Sequence, residues 1–500
     1  MINEFKRNTI TSINWSFLKV LTVNITQFLV GIVLARLIAP EKFGIIGLTM
    51  IFISFADVLS SFGISEAIVQ KNKIKDTDIE TGFTLSVIFG IILYLISYIF
   101  APFIALFFNE PIITSLIRFL GLAFPIRGIT AVCLALLMRK FDFKSVFYVE
   151  LISYIFGYSL ITVVLAFLGF GVWALAIGSI FQSILKTIML LYITRSNFKI
   201  GFNFKSAKHL LFFGSGVSGT SIFNNISDKI DYLIVGKFMS AYHVGLYTKA
   251  FNLMRIPLIA FSHVLGNVLL TSYSSVQDNK CLLKRSYYKS IDILSLLSFP
   301  IITGMAISAH YIIVGLYGEA WSGAVQPFRI LCFAVFFKVT LHSSGSLVKS
   351  QGYVHAEAVR QLFYALFIGL GVLVGAQYNL TSVSLAIVIG SLIFSFTMFK
   401  LCLKILDGKW IDLFNASKGG IFLSIPVAIT NIIIIYIFNF YNLNSDFIGL
   451  IIIIMISVMA LCLGIIYIPQ KYKGAGFSWI LSLYAKYLPK KINDFLSKKV

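Results

Sequence analysis

Apolar runs long enough to cross a bilayer recur along the whole chain, separated by short polar connections. A membrane-spanning helix needs roughly 20 mostly apolar residues, and about 14 runs reach that length. No connection between them is long enough to hold a folded soluble domain. The pattern therefore predicts an all-α polytopic membrane protein with about 14 transmembrane helices. The predicted spans are 12–37, 43–69, 82–108, 112–137, 146–168, 171–193, 210–239, 244–272, 291–316, 324–348, 358–376, 382–403, 420–438 and 447–468.

The seventh predicted span breaks the usual rule for a membrane helix, because five polar residues lie well inside it. They are Asn224, Asn225, Asp228, Lys229 and Asp231. At the period of a helix, Asn224, Asp228 and Asp231 share one face. Ionisable side chains are costly in hydrocarbon and normally face a bundle interior or a water-filled cavity. We therefore expect this helix to line a polar cavity.

A sequence repeat relates two parts of the chain. Residues 34–44 match residues 235–245 after a displacement of 201 residues. The matched pairs in and before this segment are Arg36 with Lys237, Gly44 with Gly245, Asn24 with Asn225, and Gln27 with Asp228. Such repeats are common in transporters, so we expect two pseudo-symmetric six-helix lobes, at 1–206 and 207–404. Two additional C-terminal transmembrane helices are expected at 405–468, and a basic amphipathic cytoplasmic tail at 469–500.

Composition and charge support a membrane protein and exclude a soluble one. Hydrophobic residues make up 58% of the chain and charged residues only 12%. The net charge of +21 does not indicate a nucleic-acid partner, because the basic residues lie in alternate connections between apolar runs and form no basic face. By the positive-inside rule, this asymmetry predicts that both termini are cytoplasmic. The first residues lack the pattern of a cleaved signal peptide, and the five scattered cysteines indicate neither a disulfide framework nor a metal site.

Charged and amide side chains deep within the spans are the candidate site. The candidate substrate-binding residues are Arg127, Lys229, Arg255, Lys338, Asn24 and Asn225. A cavity rich in Arg and Lys suits an anionic head group, above all phosphate, which Arg binds bidentately. The candidate ion-coupling residues are Asp57, Asp228 and Asp231. These carboxylates would balance excess positive charge or bind a coupling proton or sodium ion.

Several of these polar groups also have a structural explanation. Side chains close enough to a helix end to reach the membrane interface are Lys19, Glu66, Lys186 and Lys249. The asparagines could serve only to hydrogen-bond neighbouring helices. Asp228 could form a static ion pair with Lys229 or Arg255. Pro125, two residues before Arg127, is expected to kink the fourth span.

Catalytic motifs are absent from the sequence, which contains no P-loop, no GxSxG elbow and no HExxH. We therefore expect a transporter and not an enzyme, with no cofactor and no metal. Asp76-Thr77-Asp78 has the form of a metal-binding pair, but it lies in a short connection with nothing to complete a site. We interpret it as a solvated turn.

Three segments resemble a known family. They are 30–44, with the sequence VGIVLARLIAPEKFG, 62–70, with FGISEAIVQ, and 231–237, with DYLIVGK. They are similar to the lipopolysaccharide-biosynthesis branch, the Wzx-type flippases, of the multidrug, oligosaccharidyl-lipid and polysaccharide exporter superfamily. The resemblance covers most of the first 12 predicted spans and includes the repeat.

The resemblance implies a flippase in the bacterial inner membrane. Its substrate would be a polyprenyl-diphosphate-linked oligosaccharide, bound in a cationic cavity between two lobes while the lipid tail stays among membrane lipids. Proton or sodium coupling and a polysaccharide polymerase are the further partners considered. Two alternatives remain open. One is a cation-coupled multidrug antiporter on the same scaffold, and the other is a membrane enzyme such as a polymerase or glycosyltransferase.

Overall fold

A computed structural model of the chain describes residues 2–71, 73–195, 199–259, 264–441 and 446–467. Within these ranges the regular secondary structure is helical, so the all-α fold class is confirmed. The predicted amphipathic tail, residues 469–500, lies outside the described ranges.

The helices up to the eleventh cover the first half of the chain. They are α1 (Ile2–Leu37), α2 (Pro40–Ser61), α3 (Ile64–Gln70), α4 (Asp76–Phe108), α5 (Ile112–Leu120), α6 (Ala123–Arg139), α7 (Phe143–Ile152), a π-helical segment (Ser153–Ser159), α8 (Leu160–Phe167), α9 (Val172–Thr194), α10 (Phe204–Phe238) and α11 (Ala241–Leu258).

The remaining helices cover the second half. They are α12 (Val264–Ser275), α13 (Lys280–Ile307), α14 (Ala309–Tyr317), a 3-10 segment (Glu319–Ala324), α15 (Val325–Ser350), α16 (Val354–Gly375), α17 (Leu380–Leu406), α18 (Trp410–Phe440) and α19 (Asp446–Tyr467).

Twelve stretches of the described chain are helical, long and apolar enough to cross a membrane. They correspond to twelve of the predicted spans, so a multi-pass membrane protein is confirmed, but the count of fourteen is not. The seventh and eighth predicted spans are the difference. In the seventh, α10 carries the polar run described above, and the eighth contains parts of two shorter helices, α11 with 18 residues and α12 with 12.

The chain divides into two compact units, Met1–Gly245 and Leu246–Val500. Within the first unit, α10 packs against α2, α3 and α4. Within the second unit, α13 packs mainly against α18 and α15, and α17 packs against α15 and α16. The division into two six-helix lobes with a boundary at residue 206 stays a prediction.

The second predicted span is broken at Phe62–Gly63, between α2 and α3. Both residues have positive φ, 40° and 61°, and glycine adopts such values without steric cost. The break lies against Gly214 of α10, where an added Cβ would be 2.1 Å from the carbonyl oxygen of Phe62. Glycine at position 214 therefore permits close packing of α10 against this break.

The fourth predicted span is broken at Gly121–Leu122, between α5 and α6. Pro125 lies in the first turn of α6 and has no N–H to donate to the carbonyl of Gly121. The predicted kink is therefore confirmed. It begins α6 at Ala123, one turn before Arg127.

Hydrogen-bonded hydroxyl groups pack the centre of the second unit. The hydroxyl of Tyr273 lies 2.5 Å from Ser290 Oγ and 2.7 Å from Ser343 Oγ. These buried groups join α12, α13 and α15. Small residues close the neighbouring crossing, since a Cβ on Gly420 of α18 would lie 2.3 Å from the carbonyl oxygen of Ser295.

Candidate functional site

An ion pair joins two of the predicted site residues. The Arg127 guanidinium of α6 donates to the Asp57 carboxylate of α2. The two side chains are 34% and 32% exposed, so the pair is neither sealed in the core nor free in solvent. The second oxygen of Asp57, Oδ1, is buried and accepts no hydrogen bond within the described chain. The pair has opposite charges, limited solvation and one carboxylate oxygen available to another donor.

A reciprocal hydrogen bond lies one turn away on the same face of α2. The Asn225 side-chain amide of α10 donates to the Ser54 carbonyl oxygen at 3.2 Å, and the Ser54 hydroxyl donates to Asn225 Oδ1 at 3.3 Å. Ser54 and Asp57 are three residues apart, which places both side chains on one side of the helix. The structure therefore brings together Asp57, Arg127 and Asn225 from three helices.

Three other predicted residues of the first unit make contacts within their own helices. Lys229 lies 5.1 Å from the ring centre of Tyr232 on its own helix. Asp231 is buried, and its Oδ1 accepts the backbone N–H of Tyr232. Asn24 is exposed, and its amide donates to the carbonyl of Val20 within α1 at 2.7 Å. The side chain of Asp228 lies outside the described residues.

Two predicted cations belong to the second unit. Arg255, in the last turn of α11, is exposed. Lys338 on α15 is half-buried, and its ammonium lies 5.7 Å from the ring centre of Phe251, one turn before Arg255 on α11. Within that unit, α11 and α15 therefore each contribute a cation close to Phe251.

Other cations that the sequence places within or beside spans satisfy backbone carbonyls. Pro102 of α4 cannot donate to the carbonyl of Tyr98, and the Arg118 Nε donates to that oxygen at 3.4 Å instead. The Arg118 guanidinium also lies 4.2 Å from the ring centre of Tyr98. Arg139 donates to the carbonyl of Ile68 at the end of α3. These arginines stabilise helices in which a proline or the helix end leaves backbone carbonyl groups without the usual N–H donor.

Lys249 is the buried cation whose environment the sequence did not predict. It was expected to reach the interface, but it is only 8% exposed, so that expectation was wrong. Its ammonium lies 5.1 Å and 5.6 Å from the ring centres of Tyr317 and Trp321. Aromatic faces stabilise a desolvated cation electrostatically. Tyr317 ends α14 and Trp321 lies in the 3-10 segment, about seventy positions from Lys249, which no local pattern reveals.

A second ion pair crosses between α7 and α9. The Lys186 ammonium lies 2.7 Å from Glu150 Oε1, and both side chains are about one quarter exposed. Lys186 was expected to reach the interface, and Glu150 was not identified as part of a site. Glu150 lies three residues before the π-helical segment that begins at Ser153. Single-turn π-helices are frequent at functional sites.

The two carboxylates that were interpreted as part of a solvated turn, Asp76 and Asp78, lie in the first turn of α4. Asp78 was interpreted as a residue of a solvated turn, but it is buried, so that interpretation was wrong. Its carboxylate accepts the backbone N–H of Lys75 and pairs with the Lys71 ammonium at 2.7 Å, which caps the first turn of α4. Across the described residues, no three His, Cys, Asp or Glu side chains gather into a candidate metal site.

Comparisons with known proteins give one family and one fold. Residues 33–326 match the family described as polysaccharide biosynthesis protein. The lipopolysaccharide biosynthesis protein WzxC of Escherichia coli (strain K12) is 23% identical over 376 residues, which are 75% of this chain and 76% of that protein.

Two solved structures show the fold. The lipid II flippase MurJ in an inward closed conformation has a TM-score of 0.68 at 15% identity, covering 95% of this chain and 100% of its own. An inward-facing multidrug resistance MATE family transporter of the MOP superfamily has a TM-score of 0.62 at 16% identity, covering 77% of this chain and 98% of its own. The chain therefore shares a transporter fold that is common to both.

Proposed function

The chain belongs to the polysaccharide biosynthesis protein family, and from that membership we propose that it is a flippase for a polyprenyl-diphosphate-linked oligosaccharide. It moves the lipid-linked sugar across the bacterial inner membrane by alternating access, for export of a surface polysaccharide. The protein is a transporter and not an enzyme. Both termini are cytoplasmic in this proposal, in accordance with the positive-inside rule.

The family match is the observation that carries the proposal. It extends over residues 33–326 and therefore includes Asp57, Arg127 and Asn225, which the fold brings together. WzxC is named for lipopolysaccharide biosynthesis, and MurJ is named as a flippase of a lipid. A lipid-linked sugar is the substrate class that is compatible with both names and with polar groups held inside a membrane protein.

The Asp57–Arg127 pair offers a chemical route from substrate binding to ion uptake. A diphosphate accepts bidentate hydrogen bonds from a guanidinium, and it carries more negative charge than a single carboxylate. Binding of the diphosphate to Arg127 would displace Asp57, whose carboxylate would then be free to take up a proton or a sodium ion. Asn225 of α10 bonds to Ser54, which lies one helical turn from Asp57 on α2. The Asn225 amide is therefore placed to donate to the sugar or the phosphate.

The remaining predicted residues enter the proposal with less structural support. Lys229, Arg255 and Lys338 are further candidates for anion binding, and Asp228 and Asp231 are further candidates for ion coupling. Asn24 is the weakest member, because its amide is already bonded within its own helix. Contact with a polysaccharide polymerase is part of the proposal only through the resemblance of the sequence.

The alternative is a cation-coupled multidrug antiporter, which the MATE fold also accommodates. The residues argue against it. An organic cation would be repelled by Arg255 and Lys338. The acidic residue of the observed cluster, Asp57, is already paired with Arg127.

Translocation in vesicles of defined composition tests the proposal. The full-length protein is reconstituted with a fluorescent polyprenyl-diphosphate oligosaccharide, and the fraction that becomes accessible to a membrane-impermeant quencher is followed with and without proton and sodium gradients. Protein-dependent translocation is expected, and a gradient dependence would support the coupling role. Failure to move any lipid-linked sugar, together with export of an organic cation, would replace the proposal with the antiporter.

A further inference from the structure

An apolar groove with a volume of about 250 Å³ lies in the first unit, between α2, α4 and α10. Five of its lining residues are phenylalanines, namely Phe52, Phe55, Phe103, Phe107 and Phe108. The other lining side chains are Ile51, Ile104 and Leu233. The lining is therefore aliphatic and aromatic throughout, and it has no side chain that could hydrogen-bond to the hydroxyl groups of a sugar.

The position of the groove along the helices matches the depth of one leaflet. Phe107 and Phe108 are the last residues of α4, and Leu233 lies five residues before the end of α10. Phe52 lies about 18 Å from Pro40 along α2 at 1.5 Å per residue. Half of a hydrocarbon core is about 15 Å. On α4 and α10 the lining therefore lies within two turns of the helix ends that the proposed orientation places away from the cytoplasm, and on α2 it lies near the middle of the helix.

A cation stands at the outer end of the groove. The Lys237 ammonium donates to the carbonyl oxygen of Phe107 at 2.8 Å and lies 4.6 Å from the ring centre of the same residue. An ammonium has three donors, and this carbonyl takes one of them. Lys237 is also only partly buried. It lies in the last turn of α10, at the helix end that the proposed orientation places away from the cytoplasm.

We propose that this groove binds the polyprenyl chain of the translocated lipid in the leaflet that faces away from the cytoplasm, with Lys237 against its phosphate. The proposal rests on the proposed function and its orientation. A single groove beneath a single cation fits a lipid that has one chain on its phosphate head group, whereas a phospholipid has two chains. The methyl-branched chain packs against the phenylalanine rings by burial of apolar surface.

The close approach of α10 to its neighbours shapes this site. A Cβ on Gly236 would lie 2.2 Å from Leu48 Cδ2 and 3.0 Å from the Phe108 ring. Glycine at this position lets α10 form a wall of the groove. The site would hold the lipid tail on the exit side while the head group leaves the polar cluster around Arg127.

Photo-labelling of the full-length protein in vesicles tests the groove. The probe is a polyprenyl diphosphate with a photoactivatable group in its chain, and the labelled peptides are identified by mass spectrometry. Leu233→Trp fills the groove, and Leu106→Trp is the matched control, because Leu106 lies on the same turn of α4 as the groove but is 73% exposed and does not line it. Lys237→Gln removes the charge and keeps a donor for the Phe107 carbonyl.

Label on residues 51–55 and 103–108 is expected in the unsubstituted protein and in the Leu106 variant. It should fall severalfold in Leu233→Trp and in Lys237→Gln. Equal labelling in all four proteins would overturn the proposal, as would equal labelling by a phospholipid with the same photoactivatable group that the polyprenyl lipid does not displace. Translocation is measured in the same vesicles. Groove-specific labelling without translocation would remove the proposed function alone, and translocation without groove-specific labelling would remove the groove alone.

Discussion

Gly44 of α2 and Gly245 of α11 lie against each other, although they are equivalent positions of the sequence repeat. A Cβ on Gly44 would lie 1.6 Å from the carbonyl oxygen of Ala241, and a Cβ on Gly245 would lie 2.0 Å from the carbonyl oxygen of Pro40. Pro40 and Ala241 are themselves equivalent in the repeat. The contact is therefore reciprocal, as expected where two related segments meet about a pseudo-two-fold axis.

The glycine contact leaves no room for a methyl group, and we predict that Gly44→Ala and Gly245→Ala each destabilise the protein. Both helices would have to separate, and overpacking of this kind costs about 1–3 kcal/mol. A lower midpoint of thermal unfolding in detergent is the expected result, with reduced translocation in vesicles. Gly219→Ala is the control, because nothing lies within 4 Å of an added Cβ there. If the Gly44 variant were as stable as the Gly219 variant, the contact would not be formed in the protein.

The two repeat-equivalent asparagines are predicted to differ. Asn225→Ala removes both hydrogen bonds to Ser54 between α10 and α2, and interhelical hydrogen bonds in membranes contribute about 1 kcal/mol. Asn24→Ala removes only a bond within α1 from an exposed side chain and should change stability by less than about 0.5 kcal/mol. Unfolding midpoints and translocation rates measured in parallel would check this. Equal losses in both variants would show that Asn24 has a role that its observed contacts do not provide.

The sequence predicted the features that depend on local patterns. Apolar runs located twelve spans, and Pro125 indicated the break before Arg127. The polar run in α10 was also correctly identified as unusual, and the same helix is absent from the twelve apolar spans.

The sequence did not predict the features that depend on which helices meet. Asp57 and Arg127 were assigned to different roles, and their pairing was not predicted. The pair forms only because α2 packs against α6, which the sequence does not show. Lys249 was placed at the interface because distance from a helix end was the one available criterion, whereas Trp321 and Tyr317 enclose it from a distant part of the chain. Asp78 was interpreted as solvated, but it is buried. Its burial depends on which parts of the chain pack over it, and the sequence alone does not show them.

The two members of the central ion pair should fail in different ways. Arg127→Gln removes the bidentate phosphate donor and should abolish translocation, whereas Arg127→Lys keeps the charge and should retain part of it. Asp57→Asn should still bind the lipid-linked sugar but lose any dependence on an ion gradient. Arg127→Gln and Asp57→Asn each leave the other member of the pair without an ionic contact, at a cost of about 1–3 kcal/mol.

Glu150 and Lys186 provide the matched comparison for that pair, because they also form an ion pair within the first unit. Lys186→Gln should lower stability to a similar extent and leave the gradient dependence unchanged. Translocation at varied proton and sodium gradients separates the two cases. The coupling role of Asp57 would be excluded if the Asn variant retained the full gradient response.

The orientation can be read from one native thiol. Cys281 is exposed at the start of α13, in a connection that the positive-inside rule places in the cytoplasm. In a Cys462→Ser background, a membrane-impermeant maleimide should not label Cys281 in intact spheroplasts and should label it after the membrane is opened. Ser240→Cys, an exposed position between α10 and α11, should react in both conditions. Labelling of Cys281 in intact spheroplasts would reverse the proposed orientation.

We predict that Arg118 and Pro102 are energetically coupled through the backbone carbonyl of Tyr98. Because Pro102 lacks an N–H, it cannot supply the usual helical donor to the Tyr98 carbonyl, and Arg118 donates to that oxygen from α5. Arg118→Leu leaves that oxygen unsatisfied where water is scarce and should destabilise the protein by about 1–3 kcal/mol. Pro102→Ala restores the helical donor, so the same Arg118 substitution should cost less in that background. A double-mutant cycle of unfolding free energies measures the difference, which is expected to be about 1 kcal/mol. Strict additivity would mean that Arg118 acts through its contact with the Tyr98 ring alone, and the loss in both backgrounds would then equal that of Tyr98→Leu.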